Sequence, residues 1–343
     1  MDWGCADMDT TQLILDTAQK MFADHCDKAL LDRAEQGHYA AQLWDVVAEN
    51  GLPQLATSAG GGTLSDAFRL LRVAGRHALP LPLAEALIAN HLMGASHCEA
   101  FSGRISLGIA DSHSAEGGEV NVALVGVPWA RAMERICYVI GDPLEVVILD
   151  VAECEITQHA NMAGEARDEV RFLGIPRRCS APESIGVTQV FELMALSRAA
   201  LMSGALERVL ELTIDYAKQR KQFGRPIGGF QAIQHALAVL AGQVAAALRA
   251  TDAAIAAQGS PRFSVQVAVA KARVGEAAGI AAEIGHQVHG AMGFTHEHQL
   301  HHFTRRLLAW RDEYGRETFW QQRLGKQIAS RGADALWDFV VGA

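Results

Sequence analysis

Tyr216-Ala217-Lys218-Gln219-Arg220-Lys221-Gln222-Phe223-Gly224-Arg225-Pro226-Ile227, followed by Phe230-Gln231-Ala232-Ile233-Gln234, is the most informative stretch of the chain. A helical pattern stops at a glycine, a proline marks a turn, and a new helix begins. An arginine beside an exposed helix end can fork onto a phosphate with two charge-assisted hydrogen bonds. The ring of Phe223 could cover an adenine or a flavin. The same residues also fit a plain helix–turn–helix with Arg220 solvated and Phe223 in the core.

Outward from this turn, residues 190–221 read as one long amphipathic helix. Its polar stripe carries Glu207, Glu211, Asp215 and Lys218, spaced four, four and three. Downstream, 230–257 and 264–289 read as two more helices and 317–331 as a last one. Between them lies a second distinctive segment, Gln287-Val288-His289-Gly290-Ala291-Met292-Gly293-Phe294. Gly290 would let the backbone approach a ligand closely, and the Gln287 amide offers both donor and acceptor. A simple glycine-rich helix break fits equally.

Toward the N-terminus the periodicity predicts helices over 10–23, 40–50, 65–77 and 84–93. Gly51, the glycines 60–62 and the Pro80-Leu81-Pro82 stretch punctuate them. After Gly103 the composition changes. Short β-branched runs at 105–110, 120–125, 136–140 and 146–151, with weaker ones at 155–157 and 170–173, are separated by Gly, Asp and Pro. The expected organisation is an N-terminal helical domain over 1–103, a reduced β-domain over 104–181 and a C-terminal helical bundle over 182–343. The fold class is mainly α with a small β-domain.

The chain has 343 residues, half of them apolar, and a net charge of −9. That charge argues against a nucleic-acid footprint. No apolar run approaches the ~18 residues expected of a membrane-spanning helix, and the N-terminus lacks a basic region followed by an apolar stretch. A cytoplasmic protein without membrane partners is expected. Cys5, Cys26, Cys98, Cys137, Cys154 and Cys179 form no CxxC pair, so reduced, buried thiols are expected.

Taken together, the segment at 216–234 and the Gln287–Phe294 segment resemble the two flavin signatures of the acyl-CoA dehydrogenase family. Trp44, Gly51-Leu52, the triple glycine and the Pro80/Pro82 stretch match more loosely. The resemblance implies helical, β-sandwich or barrel, and four-helix-bundle domains, with FAD lying between subunits. By matching positions, Arg220 would contact the FAD pyrophosphate, and Gln222, Phe223 and Gln231 would line the adenine half. Gln287 and Gly290 would hold the dinucleotide across a dimer interface, so that guanidinium and glycine turn come from separate polypeptides. Ala291 stands where the family has its second glycine. The reaction implied is α,β-desaturation of an acyl-CoA, with electron-transfer flavoprotein as the acceptor.

The resemblance fails where the chemistry needs a base. The family's usual glutamate, just before a glycine, falls here on Tyr314, with Glu313 one residue early and Glu317 three late. The position used by other relatives falls on Met194, with Glu192 two residues off. A one-residue slip on a loop takes a carboxylate beyond the ~3 Å reach of a base. The stretch 105–113 also lacks the family's Thr/Ser segment for the flavin ring. This pattern resembles the smaller subunit of bacterial heterotetrameric, steroid-CoA-type enzymes, in which a larger homologous chain supplies the base. A homomeric enzyme using Glu313 or Glu317, or a non-catalytic scaffold, are the competing expectations. His296, His298, His301 and His302 do not follow HExxH spacing; they read as a polar loop rather than a metal site.

Overall fold

The protein is described by a computed structural model at residues 4–116, 118–180, 185–332, 334 and 336–341, so the expected boundary at 181/182 lies outside the described residues. Five helices open the chain: α1 (Gly4–His25), α2 (Lys28–Glu35), α3 (Ala41–Glu49), α4 (Leu64–Arg76) and α5 (Leu83–Ala95). Eight strands follow: β1 (Ile105–Ile109), β2 (His113–Glu116), β3 (Glu119–Pro128), β4 (Arg135–Ile140), β5 (Glu145–Asp150), β6 (Glu155–Thr157), β7 (Arg167–Gly174) and β8 (Arg177–Ser180). Then come α6 (Val187–Gln219), a hairpin of β9 (Lys221–Gln222) and β10 (Arg225–Pro226), α7 (Gln231–Ala256), α8 (Phe263–His289), α9 (Leu300–Asp312), α10 (Glu317–Arg331) and α11 (Leu336–Val341). The chain is mainly helical with a small sheet region, as the sequence implies.

The chain divides into two compact units, residues 1–71 with 79–194, and residues 72–78 with 195–343. In the first, two four-stranded sheets run in the orders β1-β4-β5-β8 and β2-β3-β7-β6. Alternate residues of both sheets meet in one core, with Ile136, Tyr138, Val147 and Leu149 packed against Val120, Val122, Leu124, Val170 and Phe172. A second cluster joins α2 to the strands through Ala34, Trp129, Met133 and Ala166. Fully buried Asp168 accepts hydrogen bonds from the Arg131 backbone N–H and guanidinium, so a charge inside the β-section is paired.

The expectation of reduced cysteines needs correction. Cys98, after α5, forms a disulfide with Cys179 on the edge strand β8, with Cα atoms 6.5 Å apart, inside the usual range. Sequence spacing gives no hint of it, because 81 residues separate the partners. Cys137 follows the expectation: it is fully buried, and burial pushes its thiol up to about 12.

In the second unit, α8 packs against α7, α9 and α10. Small residues permit close helix contact: Ala268, Ala270, Ala277, Ala278 and Ala281 of α8 are buried. At the crossing of the last turn of α4 with α6, Gly75 lies on the Leu201 carbonyl and Gly204 on the Arg72 carbonyl. A Cβ at either position would overlap backbone. Helix α7 departs from the expectation that no segment suits a membrane. It is long and apolar enough to cross one by length and composition, yet only 17% of its most apolar window is buried within the chain.

Candidate functional site

The informative turn begins where α6 ends. The Arg220 N–H donates to the Tyr216 carbonyl at 2.8 Å, and the Ile227 N–H donates to the Arg220 carbonyl at 2.8 Å. The backbone of Arg220 is thus tied on both sides while its side chain is exposed. Gln222 pairs with Arg225, and the two residues between them, Phe223 (φ 52°) and Gly224 (φ 78°), both take positive φ. That is the geometry of a tight primed hairpin turn, unusual for a phenylalanine. It presents the Phe223 ring 92% exposed, which rules out the core role that the sequence left open. Arg225 lies over the Phe230 ring at 4.2 Å. Lys218, Arg220, Lys221 and Arg225 are all exposed, and among the described residues no carboxylate pairs with any of them. Gln231 opens α7 at the foot of the same turn, also exposed.

The second segment sits at the end of α8. Gln287 is exposed on its last turn. Gly290 (φ 57°, ψ −139°) caps the helix by donating its N–H to the His286 carbonyl, and no atom lies within 4 Å of where its Cβ would be. Such a backbone conformation suits glycine almost alone. The turn is thereby left open for a ligand. Exposed Met292 and Phe294 follow it, and Phe294 stacks on His286 with ring centres 4.5 Å apart.

These two segments meet. Ala217 and Ile227 share a buried cluster with Val288, walled by Tyr216, Phe230, Ile233 and Ile284. Tyr216 also stacks on His289 at 4.4 Å. One chain carries both the guanidinium and the glycine turn at the same end of its helical unit. The sequence could not show this, since packing joins segments that are 60–70 residues apart along the chain in round terms. An exposed, unpaired guanidinium, neighbouring cations, an exposed ring and an open glycine turn together suit a nucleotide diphosphate.

The loop after α9 is built differently. Glu313 accepts from Arg198 Nε at 2.5 Å, with the Arg198 side chain 2% exposed. Glu317 is held by the Arg311 guanidinium, with Nε–Oε2 at 2.7 Å and a second, shorter contact, and this bonding keeps its carboxyl below the usual range. Tyr314, at the position of the family's base, takes φ 54° and lies under the Arg198 guanidinium at 5.1 Å. Buried Lys271 donates to the carbonyls of Trp310, Arg311 and Glu313 at 3.2, 3.2 and 2.8 Å, capping α9. Burial lowers its amine to about 7, against the opposing pull of Glu313. Both glutamates are thus engaged by arginines. In the other unit, Met194 is fully buried and Glu192 is 5% exposed.

The expected polar loop of histidines is also corrected, because His301 and His302 begin α9 and are buried. His301 Nδ1 pairs with the His298 carbonyl at 2.7 Å, and His298 Nδ1 accepts the Leu300 N–H at 3.1 Å. Sequence reasoning passed over Tyr216, His289, Arg198 and Lys271. The first two lie inside the quoted segments, so their aromatic character was the available signal. The last two are buried charges on apolar helices, which sequence alone does not distinguish from solvated ones.

A family model described as "Acyl-CoA dehydrogenase, C-terminal domain" matches residues 186–317. The acyl-CoA dehydrogenase IpdE2 of Mycobacterium tuberculosis is 29% identical over 307 residues, covering 86% of this chain and 90% of that protein. Among solved structures, the ChsE4–ChsE5 complex from Mycobacterium tuberculosis superimposes with a TM-score of 0.84 at 19% identity, covering 94% of this chain and 98% of the matched chain. The Tcur3481–Tcur3483 steroid ACAD gives 0.82 at 20% identity, with the same coverage.

Proposed function

We propose that this chain, similar to acyl-CoA dehydrogenases over residues 186–317 and to IpdE2 over most of its length, is a member of that family and the tail-binding subunit of an FAD-dependent enzyme whose base and flavin-ring pocket come from a larger homologous chain. The observation that carries this reading is the contrast within the helical unit: an open cationic turn and, on the loop after α9, glutamates already bound by Arg198 and Arg311. Arg220 would hold the diphosphate, Gln222, Phe223 and Gln231 the adenine half, and Gln287 with the Gly290 backbone the remaining polar atoms. Bound FAD would supply the hydride acceptor for α,β-desaturation of an acyl-CoA, with electron-transfer flavoprotein reoxidising it. Pairing at the diphosphate needs no proton transfer from this chain; its residues bind and orient.

The exposed face of α7 supports a heteromeric assembly. Ala232, Ala238, Val239, Ala241, Ala245 and Ala246 leave an apolar, small-residue surface on a helix that the chain does not cover. A second subunit of the same fold would cover it, giving an α2β2 enzyme. A steroid-type acyl-CoA is the substrate class we favour, by likeness to the steroid ACAD and because one active site per pair leaves room for a bulky acyl group.

The test is co-expression with the larger family member encoded nearby, followed by mass and visible absorption. The expected result is a chain that is colourless alone and a complex that is yellow and desaturates acyl-CoA. A yellow, active homomer would establish the one-chain enzyme using Glu313 or Glu317. A colourless, inactive mixture would establish the scaffold.

A further inference from the structure

We infer that Tyr216 and His289 form a rivet that sets the spacing between Arg220 and the Gly290 turn, making both positioning residues for the dinucleotide. This inference rests on the tail-binding reading above.

The geometry runs continuously from one ligand-facing group to the other. The Arg220 N–H is anchored on the Tyr216 carbonyl at 2.8 Å. The Tyr216 ring lies on the His289 ring, centres 4.4 Å apart and planes at 26°. His289 immediately precedes Gly290, whose own N–H is fixed on the His286 carbonyl. His289 is 2% exposed, and its Nδ1 lies 2.7 Å from the Gly285 carbonyl. A carbonyl only accepts, so Nδ1 carries the proton and Nε2 is a bare acceptor. That Nε2 is buried and receives no hydrogen bond from the described residues. Burial lowers the imidazole to about 4, so the ring is neutral at physiological pH and this tautomer persists. His298 closes the cluster: its ring lies 4.6 Å from His289 and 6.1 Å from Tyr216, edge-on to the latter. A helix–helix cluster of this size could be filled by any apolar side chains. Here three packed rings, Tyr216, His289 and His298, link the helix end that carries Arg220 to the residue before Gly290. Unsatisfied buried acceptors carry a cost and persist where position matters.

The experiment measures FAD affinity and melting temperature of the assembled complex for a set of variants. Y216F keeps the stack, Y216L removes it, and H289N keeps a donor to the Gly285 carbonyl while removing the ring. Y216L and H289N are each expected to weaken FAD binding by about two- to tenfold, the range for an aromatic pair. The double variant should be no weaker than either single one, because the pair acts as a unit. Y216F should bind as the parent does. Unchanged FAD affinity in Y216L and H289N, or losses that simply add in the double variant, would overturn the rivet. If Y216L does not assemble, H289N alone decides: weakened FAD binding supports the rivet and the parent affinity overturns it. R220A separates the underlying reading: FAD loss in R220A with normal binding in Y216L and H289N rejects only the rivet, and full FAD retention in R220A rejects the tail-binding reading itself.

Discussion

Two regions of the helical unit treat charge in opposite ways. The turn around Arg220 exposes Lys218, Arg220, Lys221 and Arg225 and pairs none of them with a carboxylate among the described residues. The loop at 312–317 has a comparable wealth of charge, yet Arg198 binds Glu313, Arg311 binds Glu317, and Lys271 caps the α9 carbonyls. Exposed, unpaired cations have little desolvation to lose and are ready for an anion. Buried, paired groups are committed to structure, and separating them is expensive. The difference is the basis of the proposal above: the open turn has cations available for a dinucleotide, while Glu313 and Glu317 on the loop are already held by arginines.

The largest effect that could break this contrast is at Glu313. E313A removes the carboxylate that holds the buried Arg198 guanidinium and should cost about 3 kcal/mol of stability. Thermal denaturation reads that loss, and the complex should keep its turnover per folded molecule. A collapse of kcat with an unchanged Tm would make Glu313 the base. A smaller effect is expected at the open end. G290A forces a side chain into a backbone region that disfavours it, at about 1–3 kcal/mol, and should raise the Kd for FAD without changing the affinity for acyl-CoA. Equilibrium titration of both ligands checks it. A separate effect is a pH dependence from Lys271. Its folded-state amine sits at about 7, below the ordinary lysine value, so the unfolded chain holds the extra proton between the two. Stability should therefore rise as pH climbs from about 7 toward 10. K271M should flatten that rise in denaturant titrations at several pH values, and a rise of the same slope in the variant would assign it to another group.

Much of the fold is visible in the sequence because most elements have a clean period. The β3 residues alternate between exposed and buried from Glu119 to Val125, and α3 ends just before Gly51, which takes φ 70°. The elements missed lack that signal. Helix α9 buries His301, His302, Thr304 and Arg306 beside the apolar stripe of Leu300, Phe303, Leu307 and Trp310, and these inward polar residues mask the stripe in the sequence. Helix α2 has only eight residues, and β2 and β8 are four-residue edge strands. At the site, residue types at 220, 222, 223, 231, 287 and 290 were legible as ligand-binding candidates. Their shared location was not, because it depends on Val288 packing with Ala217 and Ile227. Nor was the closure of the glutamate loop, since its partners Arg198 and Lys271 are buried charges far away in the chain.

The most direct measurement is the flavin content and FAD affinity of the complex carrying R220A in this chain alone. Removing a guanidinium that makes charge-assisted bonds to a diphosphate should weaken FAD by about 100-fold and bleach the purified complex while its mass is unchanged. A complex that stays yellow with the parent affinity would contradict the assignment of the dinucleotide tail to this subunit.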